Sequence, residues 1–509
     1  MPKQLATRIS AALAALILVF VGWQWWQSLV PSTYSAMEMG YADFGGGERF
    51  AHQGAGEDLA HAAHGGASDT RGVSRDVTEL TGSVAGRPDV RVALTARAEA
   101  TALDGVGEVE GFTLNGSTPG PTIHATVGDL VEVTFRNDNI DDGATLHWHG
   151  LDVPNAMDGV AGVTQDAVDP GEEFVYRFVA DEVGSFWYHS HQVSHKQVIR
   201  GLFGGLVVHP ATERAEEDLA AGRDVVALVH TYAGHKTVNG MSGFWRTEAP
   251  VGSRVRVRVV NTDNQQLSLW VPGVPFRLLA TDGHEITRPE PVEDVSLMLG
   301  AGARADIEVV VPEGGARIQM GSTSVLVGDG EPAEDEQPDE QLDLLSYGEP
   351  SAQDDELEAA ARTDSFDREF GYDIGRRPGF LDGKPGVWWS INGHLFPDVP
   401  MFMVREGDLV RMKIGNHSGE EHPMHLHGHR ITVLARDGEP VTGSSWQVDS
   451  LNVQHDESYE IGFVADNPGV WMDHCHNLPH AKDGMIAHLM YEGVSTDFVV
   501  GGDAHNHPE

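Results

Sequence analysis

Along most of the chain apolar and polar residues alternate one for one over short stretches, as in Val131 to Phe135, Val255 to Val259 and Val410 to Ile414. Alternation of period two puts one face of a strand on a core and the other in solvent. The stretches are rich in Val, Phe, Thr and Ile and are punctuated by 60 Gly and 26 Pro, the residues that end strands and make turns. Long windows with helical spacing are hard to find, so the pattern predicts an all-β chain. One segment breaks the alternation: from Ile9 to Trp26 nearly every residue is apolar.

The alternating pattern is repeated. Gly128-Asp129-Leu130-Val131-Glu132-Val133-Thr134-Phe135-Arg136-Asn137 recurs as Gly407-Asp408-Leu409-Val410-Arg411-Met412-Lys413-Ile414-Gly415-Asn416, and more faintly from Gly252 to Asn261. A long-period repeat signals one structural unit written several times. Three related β domains are therefore expected, over residues 85–215, 216–330 and 377–497. The first and third share more than strands. Phe178-Val179-Ala180-Asp181 precedes His189-Ser190-His191 as Phe463-Val464-Ala465-Asp466 precedes His474-Cys475-His476, and both copies carry a His-x-His-Gly. The middle copy has no His-x-His and reads as a spacer. Residues 331–376 read as an acidic linker, since 331–370 hold fifteen acids against Arg362 and Arg368. Residues 37–84 read as a flexible spacer rich in Gly, Ala and His, and 498–509 as a solvated tail that includes His505 and His507.

Composition narrows the possibilities. A 509-residue chain with 40% hydrophobic residues can bury a large core. Its net charge of −43 makes nucleic acid and anionic membrane surfaces poor partners for the folded part. Residues 1–36 carry Lys3 and Arg8, no acid before the apolar run, and aromatics at its end, which predicts an export signal or an N-terminal membrane anchor. Tyr34 occupies a position where cleavage after Ala36 would need a small residue, which favours the anchor. Either reading puts the protein outside the cytoplasm. The only cysteine, Cys475, excludes intramolecular disulfides in a compartment that permits them, so it calls for another role.

That role follows from its neighbours. Residues i and i+2 of a strand share a face, so His147/His149, His189/His191, His425/His427 and His474/His476 each present two imidazoles together. One such pair is usually a surface accident. Four pairs in duplicated positions are a metal site with room for more than one ion. Cys475, between His474 and His476, points to the opposite face and serves a different metal. A thiolate with two imidazoles and a weak thioether is the blue-copper arrangement, and His422, His480 and Met485 supply the remaining pieces. Zinc would accept such ligands but has no redox chemistry to use the short bonded path from Cys475 to His474 and His476.

The motifs His147-Trp148-His149-Gly150, Trp187-Tyr188-His189-Ser190-His191, His422-Pro423-Met424-His425-Leu426-His427-Gly428 and His474-Cys475-His476-Asn477-Leu478-Pro479-His480-Ala481-Lys482-Asp483-Gly484-Met485 resemble the four copper motifs of the laccase-type multicopper oxidases. The resemblance covers about residues 85–495. It implies three cupredoxin-like Greek-key β-sandwich or barrel domains and four copper ions. It assigns His422, Cys475 and His480, with Met485 axial, to a type 1 copper. His147 and His425 go to a type 2 copper, and His149, His189, His191, His427, His474 and His476 to a type 3 pair. Asp158 resembles the family's proton-delivering Asp, whereas an acid common after the last type 1 histidine is replaced by Ala481.

The expected activity is one-electron oxidation of phenols, aromatic amines or similar donors, coupled to reduction of dioxygen to water. The expected partners are dioxygen and a small-molecule or metal-ion reductant. A cuprous, ferrous or manganous ion oxidase is the alternative, although the 14 Met form no methionine-rich insert. Copper nitrite reductase fits less well, because it lacks a full type 3 set. A non-enzymatic copper store would retain the sites without oxygen uptake.

Overall fold

A computed structural model describes residues 2–46, 74–332, 336–350 and 356–509. The chain is built of strands, with few short helices beyond the N-terminal one. Each copy of the sequence repeat becomes the same strand in the same setting. Leu130–Asn137 lies parallel to Val90–Ala96 and antiparallel to Glu173–Val179. Arg254–Asn261 lies parallel to Asp224–Val229 and antiparallel to Arg304–Val310. Leu409–Asn416 lies parallel to Arg368–Ile374 and antiparallel to Ser458–Val464. The glycine that opens each copy, Gly128, Gly252 or Gly407, sits at positive φ, a turn conformation that a side chain would strain.

Each unit pairs two sheets over its own apolar core. In the first, a four-stranded sheet holding Leu130–Asn137 covers one made of Gly120–Thr126, Phe203–His209, Gly184–His189 and His147–His149. In the third, a six-stranded sheet carries His422–Leu426, Val470–Cys475 and Ile486–Tyr491 side by side. The core of that unit gathers Phe402, Val410, Ile461, Phe463, Trp471 and Leu489, all buried.

Three segments expected to be loose are folded onto this frame at least in part. In the 37–84 stretch, Tyr41–Asp43 adds a parallel strand beside Pro400–Phe402 and Arg75–Asp76 pairs with Val494–Ser495; residues 47–73 lie outside the described residues. Edge strands of the third sheet offer unpaired N–H and C=O groups that such segments satisfy. In the 331–376 stretch Leu342, Leu344 and Tyr347 pack on the middle core, and Arg368 already begins the long strand of the third unit. The C-terminal backbone is tied to the first unit, while the His505 and His507 side chains stay exposed. Val193 N–H donates to the His507 carbonyl at 2.6 Å and Gln192 Nε2 to that of His505 at 2.8 Å, beside His191. The apolar run becomes a helix, Pro2–Gln27, in which Arg8–Gln27 is long and apolar enough to cross a membrane.

Candidate metal centre

The first and third units meet through their histidine strands. His147 stands opposite His189 in the first sheet, and His425 opposite His474 in the third. Across the junction His147 Nε2 lies 3.4 Å from His425 Nε2, and His191 Nε2 lies 3.3 Å from His474 Nε2. All eight imidazoles are buried. They sort into close sets: His147 with His149 and His425, His149 with His189 and His476, and His191 with His427 and His474, so that His149 belongs to two of them. The pairs His189/His191, His425/His427 and His474/His476 are each divided between neighbouring sets, because rings on one strand face stand about 5–6 Å apart, whereas His147 and His149 both join the set around His425.

The outer nitrogens of five rings are tied down. Nδ1–H donates to a carbonyl in His147 (Asp158, 2.9 Å), His189 (Ser190, 3.0 Å), His425 (Asp449, 2.9 Å) and His474 (Cys475, 3.1 Å), while His427 Nδ1 meets the Asp158 carboxylate at 3.1 Å. Such bonds fix the tautomer and leave Nε2 free to accept a metal. By contrast His149 Nδ1, His189 Nε2, His191 Nδ1 and both nitrogens of His476 are buried without a hydrogen-bond partner. Orphaned buried nitrogens in this number are costly unless something else satisfies them, and metal ions fit that need. Burial, reinforced by neighbouring rings, lowers the pKa of His149, His189, His191, His425, His427 and His476 well below the usual imidazole value, and burial lowers that of His474 to about 4. At neutral pH these rings are unprotonated, the form a metal requires.

On the far face of the same strand Cys475 Sγ lies 3.6 Å from His422 Nδ1 and 3.8 Å from His480 Nδ1, which are 3.2 Å apart. The short helix Leu478–Lys482 turns His480 back onto the strand that carries Cys475. Burial pushes the Cys475 thiol far up and holds His422 down at about 3. A thiol so disfavoured as an anion loses its proton only to a cation that binds the sulfur, so metal affinity here must fall with acidity. Met485 is buried in the same core, and its carbonyl accepts from Cys475 N–H at 3.1 Å. Trp389 packs its indole against both imidazoles, 4.4 Å from His480 and 4.8 Å from His422 between ring centroids. Only the His480 ring reaches solvent, with 13% of its side chain exposed, and Glu420 lies 3.5 Å from its Nε2.

Asp158 lies at the cluster, not in an outlying turn. Its carboxylate meets His147 Nδ1 at 3.0 Å and His427 Nδ1 at 3.1 Å, joining the first unit to the third. Asp483 closes the short helix that carries His480, whereas His429 backs the cluster, its Nδ1 meeting the His427 carbonyl at 3.0 Å and its Nε2 the Tyr491 Oη at 2.6 Å.

The middle unit is more than a spacer. Its Arg304, fully buried, donates to both Asp449 oxygens at 2.6 and 2.5 Å, and Asp282 accepts from the backbone N–H groups of Asp449 and Ser450. Asp449 Oδ1 and Ser450 Oγ each lie 3.0 Å from His149 Nε2. Removing one partner of such a buried pair typically costs about 3–5 kcal/mol, because the other charge is left alone. Gly302 brings backbone so close that a Cβ there would lie 2.9 Å from the His149 ring and 3.0 Å from His476. None of Arg304, Asp282, Asp449 or Gly302 belongs to a His motif. The only hint in the sequence is Gly302 and Arg304 beside the strand that pairs with the repeat.

Comparison with known proteins agrees with this geometry. Family models described as multicopper oxidase match residues 95–213 and 375–493. The chain is 27% identical over 445 residues to multicopper oxidase MmcO of Mycobacterium tuberculosis, covering 75% of this chain and 83% of that protein. It is 27% identical over 452 residues to Laccase-1 of Botryotinia fuckeliana, covering 74% and 77%. Among solved structures, a multi-copper oxidase from Pseudomonas thermotolerans superposes with a TM-score of 0.62 at 27% identity, covering 79% of this chain and 98% of that one.

Proposed function

The chain belongs to the multicopper oxidase family, copper-dependent oxidoreductases that use dioxygen, and from that premise we propose that it is a laccase-type oxidase taking single electrons from phenolic or similar aromatic donors. The observation that carries the reading is one strand, Val470–Cys475, continued by His476, which joins a Cys-His-His set near the surface to a buried cluster of eight imidazoles. In this reading His422, Cys475 and His480, with Met485, would hold the type 1 copper. His147 and His425 would hold the type 2 ion, and the sets His149/His189/His476 and His191/His427/His474 the type 3 pair, four ions in all. Bound copper supplies the redox chemistry, one-electron exchange with the donor and four-electron reduction of dioxygen.

The chain's own residues do the rest. The exposed edge of His480 meets the donor, while Trp389 excludes water from the other side of both type 1 imidazoles. Cys475 and its bonded neighbours His474 and His476 give electrons a short covalent route inward. Asp158, in contact with His147 and His427, is the carboxylate placed to pass protons to the cluster. Residues 85–215 and 377–497 act as the two cupredoxin-like units that supply ligands, and 216–330 clamps them through Arg304 and Gly302. The N-terminal helix, in which Arg8–Gln27 is long and apolar enough to cross a membrane, supports a location outside the cytoplasm, exported or anchored.

Oxygen-electrode measurement on copper-loaded protein with a panel of phenols, aromatic amines, cuprous and ferrous ions tests the reading. Oxygen uptake with aromatic donors is expected, and its absence with every donor would leave a copper store. A metal-ion oxidase is favoured by one feature, Glu420 beside His480 with Glu421 next in sequence, a carboxylate pair suited to a cation. Faster uptake with a metal ion than with any phenol would select it. Met485→Leu provides a finer check. A weak thioether adds electron density to copper, so its loss should raise the type 1 potential while the protein stays blue. An unchanged or lowered potential in redox titration would make Met485 a packing residue.

A further inference from the structure

The N-terminal helix is docked on the electron-entry side of the molecule. At its end Trp25 Nε1 donates to the Gly383 carbonyl at 3.1 Å, and Gly383 N–H donates to Ser28 Oγ at 3.2 Å. Gly383 lies in the tip of the hairpin formed by Arg368–Leu381 and Lys384–Ile391. That hairpin carries Trp389, the residue packed on His422 and His480. From the tip pair Leu381/Lys384 to the pair Arg376/Trp389 is five residues, about 17 Å of strand. The tip also lies close to the Cys475 region, since a Cβ on Gly484, the neighbour of Met485, would be 3.5 Å from Leu381 Cδ1.

The connection has little slack. Val30 and Tyr34 pack with Leu381 around Phe396 and Val399, Thr33–Tyr34 pairs with Val500–Gly501, and Tyr41–Asp43 joins the third sheet. A helix able to span a bilayer is thus tied directly to the unit that holds Cys475, and its direction out of the membrane is held by the hairpin tip.

The surface around this dock has the make-up of a membrane-contacting face. Val387 is 56% exposed, Trp26 is 64% exposed, and Trp23, Trp25 and Leu29 are exposed with them. Trp at the end of a spanning helix marks the headgroup level. Between Arg376 and His394 the chain carries Arg376, Arg377 and Lys384 against Asp382 alone, in a protein of net charge −43. Arg376 is shared with Glu420 at 3.1 Å, which leaves Arg377 and Lys384 as the bases beside the spanning helix; such bases are attracted to anionic headgroups, whereas the acidic remainder of the protein is repelled.

We propose that the hairpin Arg376–Trp389 lies on the lipid headgroups, so that the His480 edge faces the bilayer surface and accepts electrons from a lipid-soluble hydroquinone. The donor class rests on the oxidase reading above; the orientation does not. Each hydroquinone gives up two electrons and two protons to become a quinone. Two of them supply the four electrons and four protons that turn one dioxygen into two waters, so the reaction needs no other reductant. The donor ring needs to leave the hydrocarbon only as far as the headgroup layer, to the one exposed type 1 imidazole.

The test uses the full chain in phosphatidylcholine/phosphatidylglycerol vesicles. Cys475 is buried, so a cysteine placed on the surface can be labelled alone. A fluorophore on Val387→Cys should be quenched several-fold by headgroup spin-labelled lipid, whereas one on Val175→Cys or Val251→Cys, exposed positions in the other two units, should not. Equal quenching at all three positions, or none at 387, would overturn the orientation. Quenching at 387 by a second labelled copy without response to lipid would replace the membrane by self-association. For the donor, the rate with a long-chain hydroquinone in the bilayer is divided by that with a water-soluble one. This ratio should drop several-fold in Val387→Glu/Trp388→Glu, and an unchanged ratio would reject the membrane donor. If neither hydroquinone is oxidised, the oxidase reading fails while the quenching result still decides the orientation.

Discussion

Cys475→Ser is expected to give a colourless protein that has lost donor-driven oxygen uptake but retains copper in the buried cluster. Intense visible charge transfer needs a thiolate in a trigonal copper site, and Cys475 is the only thiol in the chain. Its sulfur faces His422 and His480, whereas the cluster is reached through the rings on either side of it in sequence. A hydroxyl in place of the thiol removes the soft ligand and the first atom of the inward route. It leaves His474 opposite His425 in the strand register and His476 held by its N–H to the Pro423 carbonyl. Visible absorption, copper analysis and oxygen uptake on one preparation check all three parts. Blue colour in the variant would put the type 1 site elsewhere, and loss of all copper would mean that the two sites do not fill independently.

The second large effect concerns Asp158. Making water consumes four protons in a region where the imidazoles are buried and neutral, so another group must carry them. Asp158 is buried and touches the outer nitrogens of His147 and His427, one on each side of the junction. A carboxylate there can take up and release a proton; asparagine has nearly the same shape and cannot. In Asp158→Asn, reoxidation of the fully reduced, copper-loaded protein by dioxygen should slow by about 10²-fold or more, the usual scale for losing an acid/base group. Reduction by the donor should keep its native rate, because Cys475, His422 and His480 are untouched. Stopped-flow mixing separates the two steps. The Asp158 backbone carbonyl, which holds His147 Nδ1 at 2.9 Å, survives the substitution, so copper content should be native. Reoxidation within a few-fold of native would reduce Asp158 to a residue that only positions the two rings.

Local pattern determined a good deal of this protein. Alternation of period two specified strands, because burial on one face needs nothing beyond the order of residues. The repeat beginning at Gly128, Gly252 and Gly407 specified three like units, and the structure gives each glycine the same positive φ. Cys475 between His474 and His476 specified two sites back to back, since adjacent side chains of a strand must diverge. What the order of residues could not determine was which imidazoles from different strands share a site. That depends on how two sheets approach, and it separated the members of three of the four His-x-His pairs that the sequence presents together. Tertiary packing alone also made the middle unit part of the centre. Arg304 and Asp282 are ordinary strand and turn residues until the carboxylate and the backbone N–H of Asp449 are brought against them, and Gly302 matters only because His149 and His476 arrive within van der Waals reach. The same holds for segments 37–46 and 498–509, whose polar composition reads as solvated chain. They fold because open sheet edges and Gln192 offer hydrogen-bond partners that no local sequence encodes.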